Sequence, residues 1–361
     1  MKILHIVEDF SIKSGGLRTV IKNLDFHLKK LGHDSFILAS DKEKNDDVFV
    51  LNATNKWLYS RNWKNKILKI IGEQKIELIH IHGAWLYPQF IGAKIAIQKK
   101  IPMILSLHGM FQPWLWKKGT LKKKLYFYLL SKKYFAKAEF IHTITAQETE
   151  TIKEFFKRNE IIEIPNLITI DKLEIANNNI KKNVVYLGRI NQTKGIDLLI
   201  KAFSRIENQG FQLKIAGGFN SHQKELERLV KSLKLERKVA FIGEVKGEEK
   251  INLIRTAWVM VSPSYSDVIG MVNLEAASFK TPMITTFKTG LNKDWNTNGG
   301  FLINPNLEEL IITLKESLNW SLKERVSKGE LLYKFVEKEY SWENKLKDWE
   351  ALYKKATVNE K

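Results

Sequence analysis

The stretch Pro263-Ser-Tyr-Ser-Asp-Val-Ile-Gly-Met-Val-Asn-Leu-Glu275 sets two carboxylates, Asp267 and Glu275, on either side of Gly270. The run before it, Trp258-Val-Met-Val261, is apolar and reads as a buried strand ending at Ser262-Pro263. The run after Gly270 reads as a helix, with Met271, Leu274 and Ala277 on one face. A strand therefore feeds a turn that feeds a helix. Asp267 stands at the helix entrance, and Glu275 lies about one and a half turns inside. Helix-start amides bind oxyanions and carboxylates bind vicinal hydroxyls, so the segment suits the phosphates and hydroxyls of a sugar nucleotide. Taken alone, the spacing is also compatible with an ordinary α/β turn.

A second segment narrows the choice. Asn183-Val-Val-Tyr-Leu-Gly-Arg-Ile-Asn-Gln-Thr-Lys-Gly195 runs from an apolar strand through a polar loop into the amphipathic stretch Ile196–Phe203. Gly188 and Arg189 end the strand, and Lys194 opens the helix. Arg189 and Lys194 thus become two cations at one end of a parallel sheet, where open α/β sheets bind ligands. Two fixed positive charges suit a leaving diphosphate, whose charge grows as a glycosidic bond breaks. Either residue alone reads as a solvated loop cation.

Together the two segments resemble a family 4 retaining glycosyltransferase of the GT-B architecture. In that family an arginine and a lysine five positions later bind the donor diphosphate, which Arg189 and Lys194 match. A Pro-Ser-x-x-Glu-x-Phe-Gly-x-x-x-x-Glu-Ala stretch binds sugar and ribose, matched here by Pro263, Ser264, Gly270, Glu275 and Ala276. Asp267 replaces the first glutamate, Val268 the usual Gly or Asn, and Ile269 the Phe. The shorter Asp267 must approach the sugar differently or through water. The resemblance implies an α/β fold of two Rossmann-like, doubly wound parallel-sheet domains. It implies donor contacts from Gly188, Arg189, Lys194, Asp267, Ile269, Gly270, Met271 and Glu275, with backbone near Val245 recognising the base. It also implies a nucleoside-diphosphate sugar as substrate, with no cofactor and no metal.

Length and composition agree. The 361 residues suit two α/β domains, each able to build its own core. With no cysteine, disulfides, thiolate metal sites and cysteine nucleophiles are excluded. The first residues, Met1-Lys-Ile-Leu-His-Ile-Val7, read as a strand; the apolar run is too short for a signal peptide, and no stretch is long enough to span a membrane. A cytoplasmic protein is expected. Of the formal net charge of +19, +12 falls within residues 1–172. Such a chain seeks an anionic partner. The densest stretch, Trp114–Phe135, interleaves Lys117, Lys118, Lys122, Lys123, Lys124, Lys132 and Lys133 with Trp114, Trp116, Tyr126, Phe127 and Tyr128. That pattern suits the headgroup layer of an anionic bilayer, so peripheral association with the inner face of the cell membrane is expected. An ordinary amphipathic domain helix is the plainer reading. No nucleic-acid-binding motif accompanies the charge, and specific nucleic-acid binding is not expected.

Along the chain, residues 1–172 read as an acceptor-binding domain with strands at Ile3–Val7, Ser35–Leu38, Leu78–Ile81, Met103–Leu107, Phe140–Thr143 and Ile161–Ile164. A polar stretch at Leu173–Lys182 reads as a linker. Residues 173–340 repeat the scheme with strands at Val184–Leu187, Gln212–Ala216, Val239–Ile242, Trp258–Val261 and Pro282–Thr285. Two such halves form a cleft, the usual place for a ligand. Residues 341–361 read as an amphipathic helix with Trp342, Leu346, Trp349 and Tyr353 on one stripe; the resemblance implies that it returns to the first domain.

Three places in the first half carry candidate chemistry. Gly15-Gly16 follows a strand and precedes a helix, so its amides face a phosphate (Gly16) or the acceptor (Gly15), or else form a plain tight turn. No dinucleotide fingerprint accompanies it. His108-Gly109 ends the strand at Met103–Leu107, where the family often places an imidazole near the reacting sugar and acceptor. A similar Gly-Met-x-x-Pro-Trp run, here Gly109–Trp114, occurs in relatives that build bacterial surface polysaccharide. His80 and His82 alternate onto one face of a strand, so a metal site is conceivable. With no further ligand nearby in sequence, a packed His80 and an acceptor-facing His82 are preferred. The expected activity is transfer of a hexosyl or N-acetylhexosaminyl unit with retention, to a lipid-linked or surface-polysaccharide acceptor such as lipopolysaccharide, O-antigen or capsule. No covalent nucleophile stands out; Arg189, Lys194, Asp267 and His108 are the expected catalytic set. The alternatives are a non-catalytic nucleotide-sugar-binding protein with a degenerate donor site, and a basic α/β protein that attracts nucleic acid nonspecifically.

Overall fold

The computed structural model describes residues 1–112, 120–170, 179–207 and 210–358. Apolar runs of four to six residues become parallel strands because helices cover both faces of each sheet. Among the described residues there are two sheets. The first contains β1 (Lys2–Ile6), β2 (Asp34–Ala39), β3 (Phe49–Val50), β4 (Leu78–His82), β5 (Met103–Ser106), β6 (Phe140–Thr143) and β7 (Glu160–Glu163), in the order β3-β2-β1-β4-β5-β6-β7. The second contains β8 (Asn183–Leu187), β9 (Gln212–Ala216), β10 (Val239–Gly243), β11 (Val259–Ser262), β12 (Met283–Thr286) and β13 (Phe301–Ile303), in the order β10-β9-β8-β11-β12-β13. Every pairing is parallel. In each sheet the strand order reverses once, between β1 and β4 and between β8 and β11.

One compact unit comprises Met1–Asn166 with Leu346–Lys361, and the other Leu167–Lys345. These bounds differ from 172 and 341 because Ile168 and Ile170 pack in a core of the second unit; Ile168, for example, accepts a backbone hydrogen bond from Trp342. The helix Trp342–Val358 passes to the first unit at Leu346, with Trp349 and Tyr353 buried. Residues 171–178, which include most of the linker stretch, lie outside the described residues, as do Trp114, Trp116, Lys117 and Lys118.

The second unit is held at one point by a buried cation. Arg325, in the helix Leu322–Tyr340, is 2 % exposed and donates to the carbonyls of Ala257 (2.7 Å), Trp258 (3.1 Å) and Lys280 (3.1 Å). Ala257 and Lys280 follow the C-terminal ends of the helices Gly247–Thr256 and Met271–Ser278, where the dipole favours positive charge.

The first unit carries an unusual polar stripe across its sheet. Register sets His5 beside His80 and places His82, Ser106 and His142 side by side on neighbouring parallel strands. Trp349 and Tyr353 cover the stripe: the indole centroid is 4.5 Å from His142, and the phenol oxygen is 2.7 Å from His80 Nδ1. Its proton positions follow from one carbonyl. Ile164 O lies 2.8 Å from His142 Nε2, so that nitrogen donates. His142 Nδ1 must then accept from Ser106 (2.7 Å), whose oxygen accepts from His80 Nε2 (2.6 Å). His80 Nδ1 accordingly accepts from Tyr353. Each ring of this arm is satisfied while neutral.

Two stability predictions follow from these buried groups. Arg325→Leu leaves three carbonyls without their donor and should cost about 3 kcal/mol or more in urea unfolding. Burial pushes His5 and His142 down to about 4 and His108 to about 3, and holds His80 and His82 well below 6.5. The native state therefore binds fewer protons than the unfolded chain at these rings. Their contribution is complete above pH 6.5 and is lost as pH falls toward 4. Burial raises Glu8, to about 7, and Glu148, and these two act in the opposite sense. Five rings outweigh two carboxyls, so the melting temperature should drop steeply between pH 6.5 and 4. The drop should be shallower in His142→Gln.

Candidate active site

The residues expected to contact the donor gather at the carboxyl ends of β8 and β11, where the second sheet reverses its order. β8 runs out through Gly188 into Arg189, whose exposed side chain makes no ion pair among the described residues. Tyr186 OH donates to the Arg189 carbonyl (2.9 Å) and holds the start of the loop. Asn191 caps a 3₁₀ turn, Gln192–Lys194, by accepting from Thr193 N–H (3.0 Å). Gly195 then takes φ +65°, and a Cβ there would lie 2.1 Å from the Pro263 carbonyl oxygen, so only glycine lets the two loops touch. Tyr265 N–H donates to the Thr193 carbonyl (2.8 Å) and completes the contact.

That contact brings Lys194 Nζ to 2.5 Å from Asp267 Oδ2. Gly270 precedes the helix Met271–Ser278, and a Cβ on it would lie 2.9 Å from the same carboxylate oxygen. Glycine there gives the Asp267 carboxylate its room. Ile269 is buried at φ +32°, a strained conformation for a β-branched residue. Its N–H donates to the Thr289 carbonyl (2.8 Å), so the amide of this residue, one of the expected donor contacts, is engaged within the protein. The amides of Gly270 and Met271 have no partner among the described residues. Glu275 pairs with Lys250 (2.7 Å), a residue of the helix Gly247–Thr256 that carries no signal in the sequence. Val245 is buried against the same core as Ile269 and Leu274. Asn273, fully buried beside Gly270, leaves both side-chain polar atoms without a hydrogen bond.

In the first unit, Gly15 (φ +61°) and Gly16 are exposed at the start of the helix Gly16–Lys30. No atom lies within 4 Å of a Cβ at either, so only the dihedral of Gly15 calls for glycine. His108 follows β5 at φ +49°, and the next amide, Gly109 N–H, is held by Glu148 Oε1 (2.6 Å). His82 is buried rather than open to an acceptor. Its Nδ1 lies 2.9 Å from His108 Nε2, and its Nε2 lies 2.9 Å from His5 Nδ1. His5, His80 and His82 each bring a nitrogen within 4.8 Å of the others, which adds a third ring to the pair seen in sequence. Both nitrogens of His80 and of His82 are already hydrogen-bonded, so the trio fits a packed network better than a metal site. Glu8, beyond β1, accepts from Gln89 Nε2 (2.5 Å); burial raises it to about 7. Neither Glu8 nor Gln89 stands in a motif.

Two family profiles match the chain: Glycosyltransferase Family 4 over residues 14–172, and Glycosyl transferases group 1 over residues 169–342. An uncharacterized glycosyltransferase of Methanocaldococcus jannaschii is 27 % identical, covering 98 % of this chain and 98 % of its own. Among solved structures, sucrose-phosphate synthase from Thermosynechococcus elongatus superposes with a TM-score of 0.78 at 18 % identity, over 99 % of both chains. Anabaena HepE in complex with UDP and glucose superposes with a TM-score of 0.76 at 16 % identity, over 98 % of this chain and 100 % of its own. Matched by the two profiles from residue 14 to residue 342, and by fold along nearly its whole length, the chain belongs to family 4 of the glycosyltransferases and has the GT-B fold.

Proposed function

We propose that this glycosyltransferase moves a sugar, with retention, from a nucleoside-diphosphate donor to a lipid-linked or surface-polysaccharide acceptor. The observation that carries the reading is the cluster at the ends of β8 and β11: an unpaired Arg189, and Lys194 held against Asp267. Arg189 and Lys194 stabilise the charge that grows on the departing diphosphate. As Lys194 turns to the phosphates, Asp267 is released to accept from a sugar hydroxyl, with the Gly270 and Met271 amides beside it. Glu275 accepts from the ribose hydroxyls in the same way, exchanging Lys250 for them. Two fixed cations supply the charge that a metal supplies elsewhere, so the reaction needs no metal. HepE's complex with UDP and glucose supports a uridine donor among the candidates.

The acceptor side rests on the basic segment. Described from residue 120, it runs as the helix Thr120–Leu125, a π-helical turn at Tyr126–Ser131 and the helix Lys132–Phe135. Phe127 and Phe135 are buried in the core, while Leu121 (72 %) and Leu129 (66 %) are largely exposed beside Lys122, Lys123 and Lys124. One face of this stretch packs as an ordinary domain helix does, and another offers leucine with lysine, which supports the membrane reading. Trp57, Leu125, Tyr126 and Leu130 line a groove on that side. Exposed apolar residues ringed by lysines suit an anionic bilayer in which a lipid-linked acceptor resides. No helix among the described residues is long and apolar enough to cross a membrane.

Thermal denaturation with UDP, GDP, ADP, TDP and CMP tests the donor site. One diphosphate should raise the midpoint without metal, by an amount matching about 2.7 kcal/mol at one hundred times its dissociation constant. Arg189→Ala should abolish that shift and lower turnover about 100-fold or more with the fold intact; unchanged turnover removes the assignment. For the membrane surface, sedimentation with anionic liposomes should capture the protein at low salt and release it at high salt. Leu121→Ser with Leu129→Ser should weaken capture, and salt-indifferent or absent binding counts against the reading.

A further inference from the structure

The second arm of the histidine stripe is open at one end. His5 Nδ1, His82 and His108 Nε2 form a column with 2.9 Å steps, and His108 Nδ1 has no partner among the described residues. Burial keeps all three rings neutral. Three neutral imidazoles in such a column admit two proton arrangements. In one, each Nε2–H points inward: His108 donates to His82, His82 donates to His5, and His5 keeps Nε2–H. In the other every proton moves outward, and His108 presents Nδ1–H.

The buried end decides between them. His5 Nε2 is buried without a hydrogen-bond partner, and so is Oδ1 of Asp25, on the helix Gly16–Lys30. After burial itself, the charge of Asp25 is the strongest influence on His5; Lys29, bound to the other carboxylate oxygen at 3.0 Å, opposes it more weakly. The same carboxylate acts on Tyr353. A negative charge at the inner end favours N–H dipoles directed inward. It also gives the His5 Nε2–H an attractive field, whereas the outward arrangement sets a lone pair against that field.

We propose that Asp25, His5 and His82 are positioning residues that fix His108 as the Nε2–H tautomer, leaving its Nδ1 lone pair to accept a hydrogen bond from a substrate hydroxyl. The backbone contributes to the same end: φ +49° at His108 and the Glu148 bond to Gly109 N–H set the ring's direction. This rests on the reading that His108 meets a hydroxyl of the reacting sugar or the acceptor. Asp25, His5 and His82 touch no substrate and act only through His108.

Full-length protein labelled with [15N]histidine reads the tautomer directly, with His108 assigned by its loss in His108→Gln. At neutral pH, His108 Nδ1 should resonate as a pyridine-type nitrogen and Nε2 as a pyrrole-type one. Asp25→Asn and His82→Leu should each shift His108 toward the other tautomer. His82→Asn, whose carboxamide can both accept and donate, should restore it. In transfer assays His82→Leu should lower kcat at least tenfold while the nucleotide-induced thermal shift is retained, and His82→Asn should recover most of the loss. A pyrrole-type Nδ1 in the parent protein overturns the assignment. A His108 tautomer unmoved in folded Asp25→Asn protein removes Asp25 from the set, and with it the proposed source of the polarity. Absence of transfer by the parent protein would refute the transferase reading alone, because the resonances report the column without any substrate.

Discussion

The backbone of Gly195 lies against the Pro263 carbonyl more closely than any side chain would allow, and the donor-side geometry depends on that approach. A parallel sheet whose strand order reverses leaves a crevice between the two strands that diverge, here β8 and β11. The loops leaving those strands would otherwise splay. Glycine at 195, with the Tyr265-to-Thr193 hydrogen bond, draws them together. Lys194 thereby meets Asp267, although 72 residues separate them in the chain. The remaining parts adapt to this contact. Gly270 clears space for the carboxylate, and Ile269 accepts an unfavourable φ because its amide is held by Thr289.

The first unit meets its own reversal, between β1 and β4, in another way. In-register parallel strands place equivalent side chains next to one another at the spacing of the sheet. Four strands contribute His5, His80, His82, Ser106 and His142 to one stripe, where a core would ordinarily be apolar. The cost of burying so many polar groups is offset only when each finds a partner in the correct protonation state. One arm closes on the Ile164 carbonyl and the Tyr353 hydroxyl, while the other ends open at His108. The positive φ values of His108 and Ile269 mark the same two regions, consistent with strain being held where chemistry is arranged.

The sequence exposes this architecture unevenly. Strands such as Asn183–Leu187 and Val259–Ser262 are legible because each is built on a short apolar run that stops at a glycine or a serine. Phe49–Val50 and Phe301–Ile303 are not, since two or three residues carry no period, and edge pairing alone makes them strands. Glycine-containing turns identify Arg189, Lys194, Asp267 and Glu275 because their spacing is local. The partnership of His5 with His82, or of Lys250 with Glu275, is set by strand order and helix placement, which no local pattern encodes. Alternation does put His80 and His82 on one face, but only the fold shows that His82 is enclosed by its neighbours. The domain boundary shifts for a related reason. Leu167 and Ile168 look like the end of the first half, yet packing assigns them to the second.

The ion pairs at the donor side also determine what substitutions there can reveal. Asp267 and Glu275 are each neutralised by a lysine, so the proposed binding of a phosphate or a diol is an exchange of partners rather than the capture of free charges. Such an exchange returns part of its electrostatic gain to the broken pair, and specificity then depends on geometry more than on charge. Removing Lys194 strands a carboxylate that is only 18 % exposed, so its loss combines a binding defect with a structural one. Arg189 differs. It is exposed and carries no ion pair to break, and the Tyr186 bond that anchors its loop goes to the backbone carbonyl and survives replacement of the side chain. The two cations, indistinguishable as neighbouring charges on one loop, are therefore unequal as probes of the proposed diphosphate contact: a loss of turnover at Arg189 would report on that contact in a way that a loss at Lys194 would not.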